Sequence, residues 1–278
     1  MRIHTVEGGG GLKLHVREWG DTNAPPILLI HGWSQHHLCW FRQIESSLPG
    51  TFRLVAMDIR GHGQSEAPLE PEFYSDGALW ADDVRNVIEH LDLRNPLLVC
   101  WSYGGLIVGD YLRRYGDGAI AGVNFVNAAI GVGEGWSGNY VGPGFLEHVP
   151  GACSDDQEVA LKTIRDFLHT CFVKPLPQGD MEHAVGWNML VHPQVRANLV
   201  AREEDFTPEL ANLNKPVLIT YGSDDTVILP AMAMTIRDHV PEGEMSEYAG
   251  TGHAPKLEEP DRFNTELERF AHRCFEAA

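Results

Sequence analysis

The chain has 278 residues, 43% of them hydrophobic, enough for a large buried core and too many for a disordered segment. Its 39 Asp and Glu outweigh 21 Lys and Arg, leaving a formal charge of -18. Such a field repels polyanions, which argues against nucleic acid and anionic membrane as partners and for a substrate that is not strongly anionic.

The amino terminus, MRIHTVEGGGGLKLHV, lacks the apolar core of a secretory leader. No run of about 18 apolar residues occurs, so no membrane span is expected. GGGG at 8–11 lacks the Gly-Lys-Ser/Thr of a phosphate loop and reads as a turn. GLKLHVREWG then alternates apolar and polar residues, the pattern of a half-buried strand. PPILLIHG and FRLVAMD are short, nearly continuous apolar runs, as expected of strands covered on both faces.

WADDVRNVIEHL places Val84, Val87, Ile88 and Leu91 at helical spacing. PLLVC, the helical GGLIVGDYLRRYG and the strand IAGVNFVN follow. From about residue 130 to 205 this rhythm breaks. A glycine-rich aromatic stretch, IGVGEGWSGNYVGPGF, leads into the amphipathic pieces DDQEVALKTIRDFLHTCF and MEHAVGWNML. The rhythm resumes with KPVLITYG, a helix near AMAMTIRDHV, the strand EMSEYAG and a closing helix from about Pro260. Strands alternating with helices predict a mostly parallel sheet with helices on both faces. The predicted core is 1–129 plus 206–278, and 130–205 is a predicted helical lid.

Three candidate catalytic residues each follow a strand. Ser102 lies in CWSYGG after PLLV, Asp225 in YGSDDTVILP and His253 in GTGHAPKLEEP. Loops after parallel strands gather at one sheet edge, so residues far apart in sequence can meet there. A serine hydroxyl needs a base to become a nucleophile. His253 is the expected base, and Asp225 the group that holds its tautomer. Asp224 is the competing acid. The residue pattern at the serine departs from Gly-x-Ser-x-Gly: the first glycine is Cys100. Cysteine is small and tolerates burial, so the turn should survive. A thiol this near the serine predicts sensitivity to bulky thiol reagents.

HGW (31–33), DIRGHGQS (58–65), WSYGG (101–105), GSDD (222–225) and GHAPKLEEP (252–260), in this order, make the sequence resemble the α/β-hydrolase fold superfamily in its serine-esterase branch. The resemblance spans all but the predicted lid. It implies an eight-stranded, mostly parallel sheet and the chain order serine, acid, histidine. It also implies an oxyanion hole from the backbone N–H groups of Trp33 and Tyr103. The family's second position for the acid, after the sixth strand, reads VNFVNAA and offers no carboxylate.

Trp33, Trp101 and Tyr103 are expected to line or floor the substrate pocket, together with Val227. Trp136, Tyr140, Phe145, Trp187 and Met189 are lid candidates for the same pocket. Asp58, Arg60 and His62 are expected to shape their loop. His36 and His37 lack metal-ligand spacing, so no metal and no cofactor are expected. The five scattered cysteines fit reduced thiols in a cytoplasm.

A serine at the turn disfavours dehalogenases and epoxide hydrolases, which the resemblance would give an aspartate there. It is most similar to small-substrate carboxylesterases, carrier-protein methyl ester esterases and the cofactor-free haloperoxidase or perhydrolase group. Residues 131–205 hold 11 Asp and Glu against 5 Lys and Arg, a net of -6 that would repel an acidic carrier protein. The expected activity is hydrolysis of a small or medium uncharged carboxylic ester through an acyl-serine. The alternatives are acyl transfer to peroxide and a receptor-like protein with little turnover. The expected partner is a small ester, with the chain a monomer or homo-oligomer.

Overall fold

The structure is a computed structural model, and it describes residues 1–240 and 242–277. Ten strands run in chain order: β1 (Arg2–Glu7), β2 (Lys13–Trp19), β3 (Pro26–Ile30), β4 (Arg53–Met57), β5 (Leu97–Trp101), β6 (Gly122–Val126), β7 (Gly131–Val132), β8 (Glu204–Asp205), β9 (Val217–Gly222) and β10 (Glu244–Tyr248). Eight form one sheet in the order β1-β2-β4-β3-β5-β6-β9-β10. β1–β2 and β2–β4 pair antiparallel, and all other neighbours are parallel.

Every residue of β3, β4, β5 and β6 is buried. That is why these strands are unbroken apolar runs: helices cover both faces, and each fully buried aliphatic side chain contributes about 1.5–3 kcal/mol. Register aligns their ends. Ile30 lies beside Cys100, Trp101 beside Val126, Val126 beside Thr220, and Gly222 beside Tyr248. The loops that follow β3, β5, β6, β9 and β10 therefore leave from one edge.

The helices are α1 (Gly77–His90), α2 (Gly104–Tyr115), α3 (Gln157–Thr170), α4 (Gln178–Met189), α5 (Pro193–Val200), α6 (Pro230–His239) and α7 (Pro260–Ala277), with several shorter turns. α1 starts three residues before the expected stretch because Asp76 caps it, accepting from the Ala78 N–H. α3 is capped in the same way by Asp156. β1 is a strand that the sequence pattern did not announce. It is the sheet's edge, and Val6 is its one buried side chain.

Between β6 and β9 the chain leaves the sheet for α3, α4 and α5. A two-residue antiparallel ladder, Gly131 with Asp205 and Val132 with Glu204, closes the neck of this excursion. Among the described residues, no helix is long and apolar enough to cross a membrane.

Candidate active site

Ser102 follows β5 directly and adopts φ +56°, a conformation that L-residues rarely take. Such strain costs about 1–3 kcal/mol and persists only where the surroundings enforce it. Here the Ser102 N–H donates to Val126 O at 3.1 Å, and its carbonyl accepts from Gly105 at 2.9 Å and Ala129 at 3.0 Å. Both strand and helix must come close. A Cβ on Gly105 would lie 2.3 Å from Ala129 O, and one on Gly32 would lie 2.8 Å from Ser102 Cβ. Cys100 is fully buried, its Sγ facing Asn124 O at 3.6 Å. Burial pushes its thiol well above the ordinary range, which leaves a small inert filler rather than a rival nucleophile.

Two backbone N–H groups flank the serine without a protein acceptor among the described residues, those of Trp33 and Tyr103. The loop carrying Trp33 is fixed from below. Ser34, also at positive φ (59°), donates its N–H to His62 Nε2 at 3.0 Å. His62 Nδ1 in turn meets Arg60 O at 2.9 Å, so the ring is neutral, and burial lowers its pKa to about 4. The loop is also tied to the inserted helices. Trp33 Nε1 donates to Arg196 O at 3.1 Å, Arg196 Nε to Ser34 Oγ at 2.9 Å, and Trp187 Nε1 to Gln35 Oε1 at 3.0 Å.

The acid and base come from the loops after β9 and β10. His253 Nδ1 lies 2.8 Å from Asp225 Oδ2, both groups buried. Asp225 Oδ1 accepts the N–H groups of Val227 (2.7 Å) and Ile228 (3.1 Å), which aims the other oxygen at the imidazole. Asp224 is exposed and its backbone N–H goes to Thr251 O. Asp225 is therefore the acid that meets the histidine. Trp101 Nε1 donates to His253 O at 2.8 Å, tying the histidine loop to the residue before Ser102. Glu258 bonds Gly252 N through one oxygen and Val173 and Lys174 N through the other, so it joins that loop to the insertion.

Asn127, after β6, was missed in the sequence. Its Nδ2 donates to Asp225 Oδ2 at 2.6 Å, and its φ is +41°. An amide at the family's other acid position was the available signal.

The predicted pocket residues divide. Phe145 meets Trp33 edge-on at 5.0 Å, and Phe167, which the sequence did not single out, does so at 5.7 Å. Trp136 pairs with Tyr140 at 4.9 Å and lies over Gly131, while Tyr140 O accepts from Leu229 beside the acid loop. Val227 is buried behind Asp225. The Trp101 ring is buried, 5.4 Å from the His253 ring. The Tyr103 ring turns towards Trp80, and its hydroxyl donates to Leu199 O at 3.1 Å.

Trp187 and Met189 line two outer grooves of about 560 and 540 Å³, neither of which includes a triad residue. α4 buries Met181, Ala184, Val185, Trp187 and Asn188, while Glu182 and His183 are exposed.

Around Asp58, histidines converge that are distant in sequence. His37 N and Nδ1 both bond Asp58 Oδ1 at 2.8 Å, and His15 from β2 brings a ring nitrogen within 4.8 Å of both residues' ligand atoms. Gln64 N takes the other carboxylate oxygen, and Arg17 Nε takes His15 Nε2. His37 Nε2 has no partner among the described residues. Arg60 grips Asp83 with two 2.7 Å bonds and also donates to the carbonyls of Gly9, Phe73 and Leu79. These side chains hold the loop after β4 in shape.

Residues 27–266 match the model of the Alpha/beta hydrolase family. The chain is similar to the solved structure of an esterase, RhEst1, from Rhodococcus sp. ECU1013, at 35% identity and a TM-score of 0.93 over 98% of this chain and 99% of that one. It is also similar to that of a putative aryl esterase from Burkholderia cenocepacia, at 31% identity and a TM-score of 0.90 over 99% and 100%. Among curated proteins it is 28% identical to a bifunctional esterase/perhydrolase of Acinetobacter calcoaceticus, over 94% of this chain and 96% of that one.

Proposed function

Since the chain belongs to the alpha/beta hydrolase family, we propose that it cleaves small to medium uncharged carboxylic esters through an acyl-enzyme on Ser102. The protein is an enzyme, a carboxylic ester hydrolase. The observation that carries the residue assignment is the strained, half-buried Ser102 on the sheet edge to which a buried His253–Asp225 pair is delivered.

His253 takes the serine proton as Oγ attacks the ester carbonyl. Asp225, acting through Nδ1, keeps Nε2 free to be that base and stabilises the imidazolium that forms. The oxyanion is received by the N–H groups of Trp33 and Tyr103. One such donor typically accounts for about 10²- to 10³-fold in rate. The imidazolium then protonates the departing alcohol, and water repeats the sequence in reverse to free the acid. Trp33, Phe145 and Phe167 give the approach an aromatic, uncharged character suited to an apolar acyl or aryl group. The inserted helices act as the lid, and the cytoplasm, where thiols stay reduced, is the proposed compartment: all five cysteines are free.

A second reading is favoured by the relative named as an esterase/perhydrolase: peroxide in place of water as acyl acceptor. Peroxide-dependent halogenation in acetate buffer tests it, and no activity there removes it. For the main reading, a fluorophosphonate should label Ser102 and nothing else in the folded chain. A folded protein that hydrolyses no p-nitrophenyl ester and takes no label would overturn it.

A further inference from the structure

Lys256 lies three residues after His253 in a short helical turn, Pro255–Glu258, and is fully buried. Its Nζ donates to Cys39 O at 2.6 Å. Its other neighbours are aromatic faces, with Nζ 4.5 Å from the centre of the Trp40 ring and 3.9 Å from that of Trp101. Among the described residues no carboxylate forms an ion pair with it, and the Cys39 thiol is the titratable group that bears on it.

A buried ammonium without an anion is costly, and indole faces recover part of that cost. The ring it touches is not an arbitrary one. Trp101 precedes Ser102, and its Nε1 holds the His253 carbonyl at 2.8 Å. A cation on the indole face draws electron density from the ring and makes that N–H a stronger donor.

We propose that Lys256 is a positioning residue: its charge, seated on Trp101, holds the His253 loop against the serine, and loss of its proton loosens that hold. The proposal rests on the acyl-serine reading. The groups that face Lys256 are few. The turn at 37–40 contributes the Cys39 thiol and Trp40, and β5 contributes Trp101, on whose other contacts the His253 loop rests. Gln43 Nε2 donates to the Lys256 carbonyl. Burial pushes the Cys39 thiol up to about 11, so it stays neutral across the working range. Burial lowers Lys256 to about 8, so the hold is present below that pH and is lost above it.

Wild type, Lys256→Arg and Lys256→Met are compared by kcat and KM for p-nitrophenyl acetate from pH 6 to 9.5. Intrinsic tryptophan emission is followed over the same range. Wild-type kcat should fall about fivefold or more around pH 8 at constant KM, the signature of a group acting through the catalytic machinery. Lys256→Arg should hold its rate to pH 9.5. Lys256→Met should be slow and without that step. Emission should titrate in wild type and in neither variant. The same alkaline step in all three proteins, or wild-type emission flat in pH, overturns the proposal. Should Lys256→Met not fold, Lys256→Arg decides alone. Emission that titrates only in wild type supports the coupling even where no ester is turned over, an outcome that counts against the esterase reading instead.

Discussion

Asn127 reaches from the end of β6 to donate its amide N–H to the carboxylate of Asp225, 2.6 Å away, on the oxygen that also meets His253. A charged hydrogen bond of this kind is worth about 1.5–3 kcal/mol. Asn127→Ala should therefore lower kcat/KM by about tenfold or more, with KM little changed. Asn127→Asp is the sharper test. It sets two carboxylates within hydrogen-bond reach, and they can share one proton at low pH but repel once both ionise. Its activity relative to wild type should fall steadily from pH 6 to pH 9. A pH-independent ratio would show that Asn127 does not act through the acid.

The base assignment predicts that His253→Ala loses about 10⁴-fold or more in kcat while keeping a melting temperature near that of wild type. Among the described residues its ring bonds only Asp225, and the backbone bonds that hold its loop, to Trp101 and Cys171, do not need the imidazole. Near-normal turnover would mean another base.

Much of this was legible in the sequence, and the reasons differ by residue. Ser102 and Asp225 follow apolar runs that read as buried strands, His253 follows the short edge strand EMSEY, and parallel strands present their trailing loops together. β1 was missed because RIHTVE, at the sheet edge, buries a single side chain and gives no apolar run. Asn127, Lys256 and Arg196 were missed because their roles depend on partners 98 to 217 positions away, which no local pattern encodes. His15 is a further case: adjacency of β2 and β4 in the sheet places it beside His37 and Asp58. Trp187 and Met189 border outer grooves, a placement that no local pattern in QGDMEHAVGWNM encodes.

Acid should destabilise the fold through its buried histidines. Burial lowers His36 and His62 to about 4 and holds His31 well below its ordinary value. In the unfolded chain these rings take up protons near pH 6.5, whereas the folded chain keeps them neutral down to about 4. The unfolded state therefore binds more protons in that window, and stability falls as pH falls from 6.5 to 4. Each such histidine contributes about 1.4 kcal/mol per pH unit. His36→Asn keeps a side-chain acceptor for the Leu38 N–H while removing one titration. Its melting temperature should decline less steeply between pH 6.5 and 4.5. A slope equal to that of wild type would exclude His36 from this effect.

The thiol beneath the serine makes the last prediction, and the structure reverses the expectation raised by the sequence. Cys100 has no exposed surface, it lies between β3 and β6 in the sheet, and burial raises its pKa far above that of a reactive thiol. Cys153, only partly buried, is the accessible one, and it lies in the segment inserted between β6 and β9. Treating native enzyme with a maleimide should modify Cys153 first and leave Cys100 untouched by peptide mapping. Any inactivation should then persist in Cys100→Gly and disappear in Cys153→Ser. Cys100→Gly should itself lose stability, because it removes a buried side chain from a packed strand and adds a flexible residue. Rapid labelling of Cys100 in folded protein would instead show that the strand below Ser102 opens, and the elbow would have to be regarded as mobile.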